Sequence, residues 1–242
     1  MSDDTKSQVE GHRGRLRERF NKGGLTALAD YEVVELLLTL GEPRRDCKPA
    51  AKEALKRFKT LRGVLEASRE ELQQVPGIGP NNSIAIRLIC DVARELLKEK
   101  VADQPIVGTP EQVKDYLNAS MGGLKKEEFR VIYLDAQNRV LEVAEMFHGT
   151  VNASAVWVRE VIEEALKRQA AAMIFVHNHP SGSITPSQQD RAITRDLVLA
   201  AEAVGIRALD HIIVGGDKHF SLASEGLMDK YVAEFQSLRG RK

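Results

Sequence analysis

The sequence predicts an α/β domain with a mixed sheet and flanking helices, preceded by a small all-α domain. Three observations carry this. After residue 107, short β-branched and aromatic runs are interleaved with amphipathic helical stretches, the pattern of a sheet covered by helices. Before residue 100 the apolar runs read as helices. Between the two, Val101 to Pro110 is polar and carries Pro105, Gly108 and Pro110, the composition of a domain boundary. The expected domains are 1–100 and 107–242, with a linker over 101–106.

In chain order, residues 12–22 carry alternating arginines. A solvated helix face is the preferred reading and a phosphate-contacting arm the alternative, because Glu18 and the acids that follow dilute the patch. Asp30 is placed to cap a helix through Val33, Val34, Leu37 and Leu40, ended by Gly41 and Pro43. Pro49 opens a further helix through Phe58, and Leu61 to Leu65 begins another turn. Leu72 to Pro80, followed by Ile84, Ala85, Ile86, Leu88 and Ile89, resembles a helix-hairpin-helix. Gly77 and Gly79 permit a tight turn. The backbone over Gly77, Ile78 and Gly79, with the next helix start, has the form of a site for a DNA phosphate. Pro80-Asn81-Asn82 stands where lysine or arginine often reinforces that binding. Packing or partner docking is therefore preferred, with weak, sequence-independent DNA contact as the alternative.

In the second domain, Thr109-Pro110 opens a helix through Leu117. Phe129 to Leu134, a turn over Asp135 to Asn138, and Val140 to Phe147 form a hairpin. Val156 to Ala170 is an amphipathic helix with Val158, Val161, Ile162 and Leu166 on one stripe; Trp157 is expected to anchor it to the core. Ala171 to Val176 is a buried strand. Thr185 to Val204 is a helix closed by Gly205, and Ile206 to Val214 is the next strand. A turn over Gly215 to Asp217, a short strand from His219 to Leu222 and a helix from Leu227 to Leu238 complete the chain.

Chemistry concentrates in His177 to Asp190. If the strand continues through His179, side-chain alternation turns His177 and His179 to one face and Asn178 to the other. Thr185 suits a helix N-cap and Pro186 the first helical position, which puts Ser187 and Asp190 on one helix face. Two neutral imidazoles and a carboxylate suit zinc, and three protein ligands leave a position open, as catalytic sites require. One Zn2+ per chain is expected, held by His177, His179 and Asp190.

The spacing His-x-His, seven residues, Ser, two residues, Asp resembles the JAMM (JAB1/MPN) metalloprotease signature. His-Asn-His-Pro-Ser-Gly, with Asp210-His211-Ile212-Ile213 downstream, resembles the RadC branch of that superfamily, and residues 12–98 resemble its N-terminal region. The resemblance implies a JAB/MPN-like sheet of cytidine-deaminase-like architecture and a zinc-dependent hydrolase acting on a peptide or isopeptide bond. It also implies a non-ligand glutamate at the start of a strand as general base. The matching position is Glu128; Glu127 is adjacent but faces the other side if the strand has begun, and Glu142 and Glu145 are weaker alternatives. Ser187 is assigned to the developing oxyanion, with helix capping as its plain alternative. His211 stands equally as a support of the site or as a satisfied core histidine; His12, His148 and His219 read as ordinary surface or edge residues.

Composition narrows the function classes. Formal net charge is zero, so bulk charge gives no support for nucleic-acid binding. Cys47 and Cys90 are the only cysteines, which excludes a disulfide framework and fits a reducing cytoplasm. No signal peptide and no membrane-length apolar run is read, so no membrane partner is expected. A protein or peptide substrate is expected. The rivals are a DNA repair or recombination factor, and a non-catalytic MPN scaffold, the latter disfavoured by the retained ligand set.

Overall fold

A computed structural model describes residues 3–102, 111–148 and 155–240. The Thr109-Pro110 helix start, most of the expected linker and the Trp157 side chain lie outside what is described. The chain divides into two compact units, residues 1–93 and 94–242.

The first unit is helical: α1 (Asp3–Gly23), a 3-10 turn (Gly24–Ala27), α2 (Asp30–Gly41), α3 (Lys48–Phe58), α4 (Leu61–Glu66), α5 (Arg69–Gln73) and the start of α6 (Pro80–Ala102). Its core gathers Val34, Leu38, Ala51, Val64, Leu72 and Ile86. Asp30 does not cap α2 as expected; Ala29 holds the cap position, and Glu32 reaches back to accept from the Ala29 amide at 2.9 Å. Ser68 caps α5, with Glu71 returning the hydrogen bond.

The second unit holds α7 (Glu111–Met121), β1 (Glu128–Leu134), β2 (Val140–His148), α8 (Ala155–Lys167), β3 (Ala172–Asn178), α9 (Gln188–Ala203), β4 (Arg207–Gly215), β5 (Lys218–Ser221) and α10 (Leu227–Arg239). The strands form one sheet in the order β2-β1-β3-β4-β5. Among the described strands, only β3 and β4 pair in parallel, so the sheet is mixed, as the interleaved pattern predicted. The parallel pair needs a crossover, and α9 supplies it. β3 is central and buried along its whole length, which explains its unbroken apolar run. One sheet face packs Phe129, Val131, Tyr133 and Phe175 with apolar side chains of α8, α9 and α10. The other packs Ile132, Leu134, Ile174, Val176 and Ile212 against α7. This division by face decides which side chains reach the site.

Candidate metal centre

Both histidines come from the end of β3. His177 is its penultimate residue, and His179 continues the ladder by donating its amide to the Val214 carbonyl at 2.8 Å. Alternation therefore brings the two rings together, with Nε2 atoms 3.0 Å apart. Asp190 comes from the first turn of α9. The capping residue there is Ser187, not Thr185: the Ser187 hydroxyl accepts from the Asp190 amide at 3.0 Å, and the Asp190 Oδ2 accepts from the Ser187 amide at 2.7 Å. Pro186 thus precedes the cap instead of opening the helix, because the reciprocal Ser-x-x-Asp pair offers the helix start two hydrogen bonds where Thr185 would offer one. The capping box also freezes the carboxylate rotamer. Its Oδ1 lies 3.3 Å from His177 Nε2, and its Oδ2 lies 3.5 Å from His179 Nε2.

These three residues are the group among the described residues able to hold a metal. Donors about 2.0–2.1 Å from a tetrahedral zinc stand roughly 3.3 Å apart. The two Nε2 atoms, 3.0 Å apart, and the carboxylate, with one oxygen 3.3 Å from His177 and the other 3.5 Å from His179, converge at spacings of that order. The tautomer of His179 suits this as well. Its Nδ1 lies 2.8 Å from the Ser183 carbonyl, which only accepts, so Nδ1 carries the proton and Nε2 offers its lone pair. The loop that carries Ser183 folds close against the end of β4. A Cβ on Gly215 would come 2.6 Å from the Gly182 carbonyl oxygen, so only glycine fits there.

Burial alone would raise the Asp190 carboxyl, but hydrogen bonds from the His177 and His179 rings prevail and hold it well below the usual carboxylate range. The His179 imidazole is pushed up, chiefly by its hydrogen bond to Asp190, against the opposing effect of burial. Glu127 contributes to that rise, which places its charge near His179. His211 is fully buried, and burial pushes its pKa well below the ordinary value.

The expected base requires a correction. Glu128 opens β1, but register puts it on the wrong side. Phe129 pairs with His177 and their rings stack 6.5 Å apart, so Phe129 and His177 share a face. Glu128 and Arg130 point to the opposite face, where the Glu128 carboxylate grips the Arg130 guanidinium at 2.6 and 3.0 Å. Glu127, the neighbouring acid, precedes the strand and is not bound by its alternation; its charge contributes to the raised pKa of His179. Glu142 and Glu145 are tied elsewhere, the first to Arg168 at 2.8 Å and the second to Arg130 at 2.9 Å.

Asn178 was not expected to matter beyond pointing away from its neighbours. It is buried and staples the segment ahead of β1 to the end of β3: Oδ1 accepts from the Glu128 amide at 2.9 Å, and Nδ2 donates to the Lys126 carbonyl at 3.1 Å. The residue between the two histidines therefore fixes the backbone on both sides of Glu127. The signal that would have found it is its chemistry: a carboxamide accepts from an N–H through its oxygen and donates to a C=O through its nitrogen at the same time.

The hairpin in the helical unit bonds its own turn, in keeping with the preferred packing reading and against the phosphate-contact alternative. The Ile78 amide donates to the Val75 carbonyl at 3.0 Å, and the Gly79 amide donates to Asn82 Oδ1 at 2.6 Å. Asn82 is completely buried and returns its Nδ2 toward the Gly77 carbonyl at 3.3 Å. Two of the three expected phosphate-contacting amides are thus already bonded within the turn. Gly77, at φ +90°, has the left-handed backbone the turn was expected to need.

Comparison with known proteins agrees with this architecture. The profile of the RadC-like JAB domain matches residues 107–227, and that of the UPF0758 N-terminal domain matches residues 11–84. A UPF0758 protein of Burkholderia cenocepacia (strain HI2424) is 40% identical over 212 residues, covering 88% of this chain and 82% of the relative. A UPF0758 protein of Pseudoalteromonas translucida (strain TAC 125) is 40% identical over 214 residues, covering 88% of this chain and 96% of the relative. The chain belongs to the RadC-like UPF0758 family. Its RadC-like JAB domain is the unit that carries the donor triangle, and its UPF0758 N-terminal domain carries the hairpin. Among the described residues, no helix of this RadC-like protein is long and apolar enough to cross a membrane.

Proposed function

We propose that this RadC-like protein is a zinc-dependent hydrolase of peptide or isopeptide bonds. The donor triangle carries the proposal: His177 Nε2, His179 Nε2 and the Asp190 carboxylate converge within 3.0–3.5 Å of one another, and three such ligands leave a fourth zinc position for water. When bound, zinc supplies Lewis acidity at that corner. The protein's own groups then divide the work. Glu127, just before β1 and with its charge felt at His179, takes a proton from the attacking water and returns it to the leaving amine. Ser187 keeps its hydroxyl proton, because its oxygen accepts from the Asp190 amide, and donates that proton to the developing oxyanion. Asn178 holds the segment that presents Glu127. The Ile78 and Gly79 amides of the hairpin are engaged internally, which weighs against the DNA-repair reading.

The test uses zinc-loaded full-length protein on a proteome-derived peptide library, with new termini read by mass spectrometry. Wild type should generate reproducible cleavages. Glu127→Gln should retain zinc and lose about 10²–10⁴-fold in rate, the usual share of a general base. Absence of cleavage by loaded wild type, or undiminished cleavage by Glu127→Gln, would overturn this reading.

A further inference from the structure

Behind the donor triangle lies a buried chain of polar groups that the proposed reaction does not use. His177 Nδ1, the nitrogen turned away from the triangle, lies 2.8 Å from His211 Nε2. His211 Nδ1 lies 2.5 Å from Thr194 Oγ1, which lies 2.5 Å from the backbone carbonyl of Asp190. All of these side chains are buried, His211 and Thr194 completely. Strands β3 and β4 set the pair of rings, because Phe175 is registered with His211 and His177 follows two residues later on the same face. Phe129 and Phe175 stand edge-on to the His211 ring and fix its plane.

The direction of this chain follows from its last member. A carbonyl only accepts, so the Thr194 hydroxyl commits its proton to Asp190 and offers His211 an acceptor. His211 Nδ1 therefore carries a proton. The ring is fully buried and its nitrogens bond only an imidazole and a hydroxyl, so it is neutral and its Nε2 holds a lone pair. That lone pair accepts from His177 Nδ1–H, so a neutral His177 ring keeps its Nε2 lone pair toward His179 and Asp190. With the opposite orientation the Thr194 hydroxyl would donate to His211 Nδ1, and its oxygen would face the Asp190 carbonyl oxygen at 2.5 Å with no hydrogen between them.

We propose that His211 and Thr194 form a one-way hydrogen-bond relay that locks His177 in its metal-binding tautomer, making His211 a positioning residue of the site. The relay closes a loop. It starts at one metal ligand, His177, and ends on the backbone of another, Asp190, so the sheet and α9 set the imidazole and the carboxylate together. His179 is served separately by the Ser183 carbonyl. A carboxylate partner would also hold the imidazole, but it would add a buried negative charge; a neutral relay fixes orientation without one.

This inference rests on the metal reading of the site, and the experiment separates the two. Zinc affinity of the full-length protein is measured by competition with a chromophoric chelator for wild type, His211→Phe, Thr194→Val and Thr194→Ser, with folding checked by circular dichroism. Phenylalanine keeps the aromatic packing and removes the relay. His211→Phe should bind zinc about 10–100-fold more weakly, the range for lost outer partners of a metal-bound histidine. Thr194→Val should weaken binding as well, and Thr194→Ser should restore it. Wild-type affinity in folded His211→Phe would overturn the relay; if that variant does not fold, wild-type affinity in Thr194→Val would do so. The second readout needs no metal: imidazole ¹⁵N spectra of the apo protein should show Nδ1–H on both His177 and His211. Absence of Nδ1–H on His177, or a protonated Nε2 on His211, contradicts the relay, even if wild type were to take up no zinc and the metal reading were lost.

Discussion

The donor triangle and the hairpin are both built where glycine-assisted turns meet helix starts, yet they treat polar groups in opposite ways. At the triangle, the Ser183 carbonyl and the His211 contact occupy the outward-turned nitrogens of His179 and His177, and the capping box holds Asp190 through Oδ2, leaving the two Nε2 atoms and the carboxylate as mutual neighbours. At the hairpin, Asn82 turns its carboxamide inward and binds both the Gly79 amide and the Gly77 carbonyl. The first arrangement keeps lone pairs converging on a point, which is the requirement of a ligand site. The second satisfies its own backbone, which is the requirement of a packing joint. Glycine-rich turns therefore say little by themselves; what decides function is whether neighbouring side chains have already bonded the exposed groups.

The comparison can be broken at several places. The largest effect should come from Asp190→Ala, which deletes one corner of the donor triangle and the capping partner of Ser187. Zinc affinity should fall by more than the roughly 100-fold that a lost supporting contact costs. Asp190→Asn keeps a capping acceptor and separates the two losses; isothermal titration should find weak zinc binding in a folded protein. Next is Glu128→Gln. Because its partner is the buried Arg130 and not the reacting centre, peptide cleavage should stay within a few fold of wild type while thermal unfolding shows a loss of about 1–3 kcal/mol. Selective loss of cleavage without loss of stability would return the base to Glu128. A comparable or smaller loss, about 1–3 kcal/mol, is expected for Asn82→Ala, which leaves the Gly79 amide unpaired, and chemical denaturation would measure it. Zinc binding should not change.

Much of this was legible in the residues. The mixed sheet followed from interleaved periodicities, and the three converging donors followed from alternation on a strand and helical spacing after it. The errors were local. Thr185 reads as a cap because it precedes a proline, whereas the reciprocal bonds of Ser187 and Asp190 prevail. Glu128 reads as the base because it sits immediately before the apolar strand run, while the strand includes it and so turns it away. A shift of one residue in a strand start reverses every facing, which is why the boundary mattered more here than the fold. The His211 relay was not legible, because it depends on the pairing of β3 with β4, and register between distant strands is not written in either segment alone.

The most direct test of the central claim is X-ray absorption at the zinc edge of the loaded full-length protein. The account predicts about one zinc per chain, with nitrogen and oxygen neighbours near 2.0–2.1 Å, the multiple-scattering signature of two imidazoles and no sulfur shell. A sulfur shell, or the absence of imidazole scattering, would place the metal away from His177, His179 and Asp190 and contradict it.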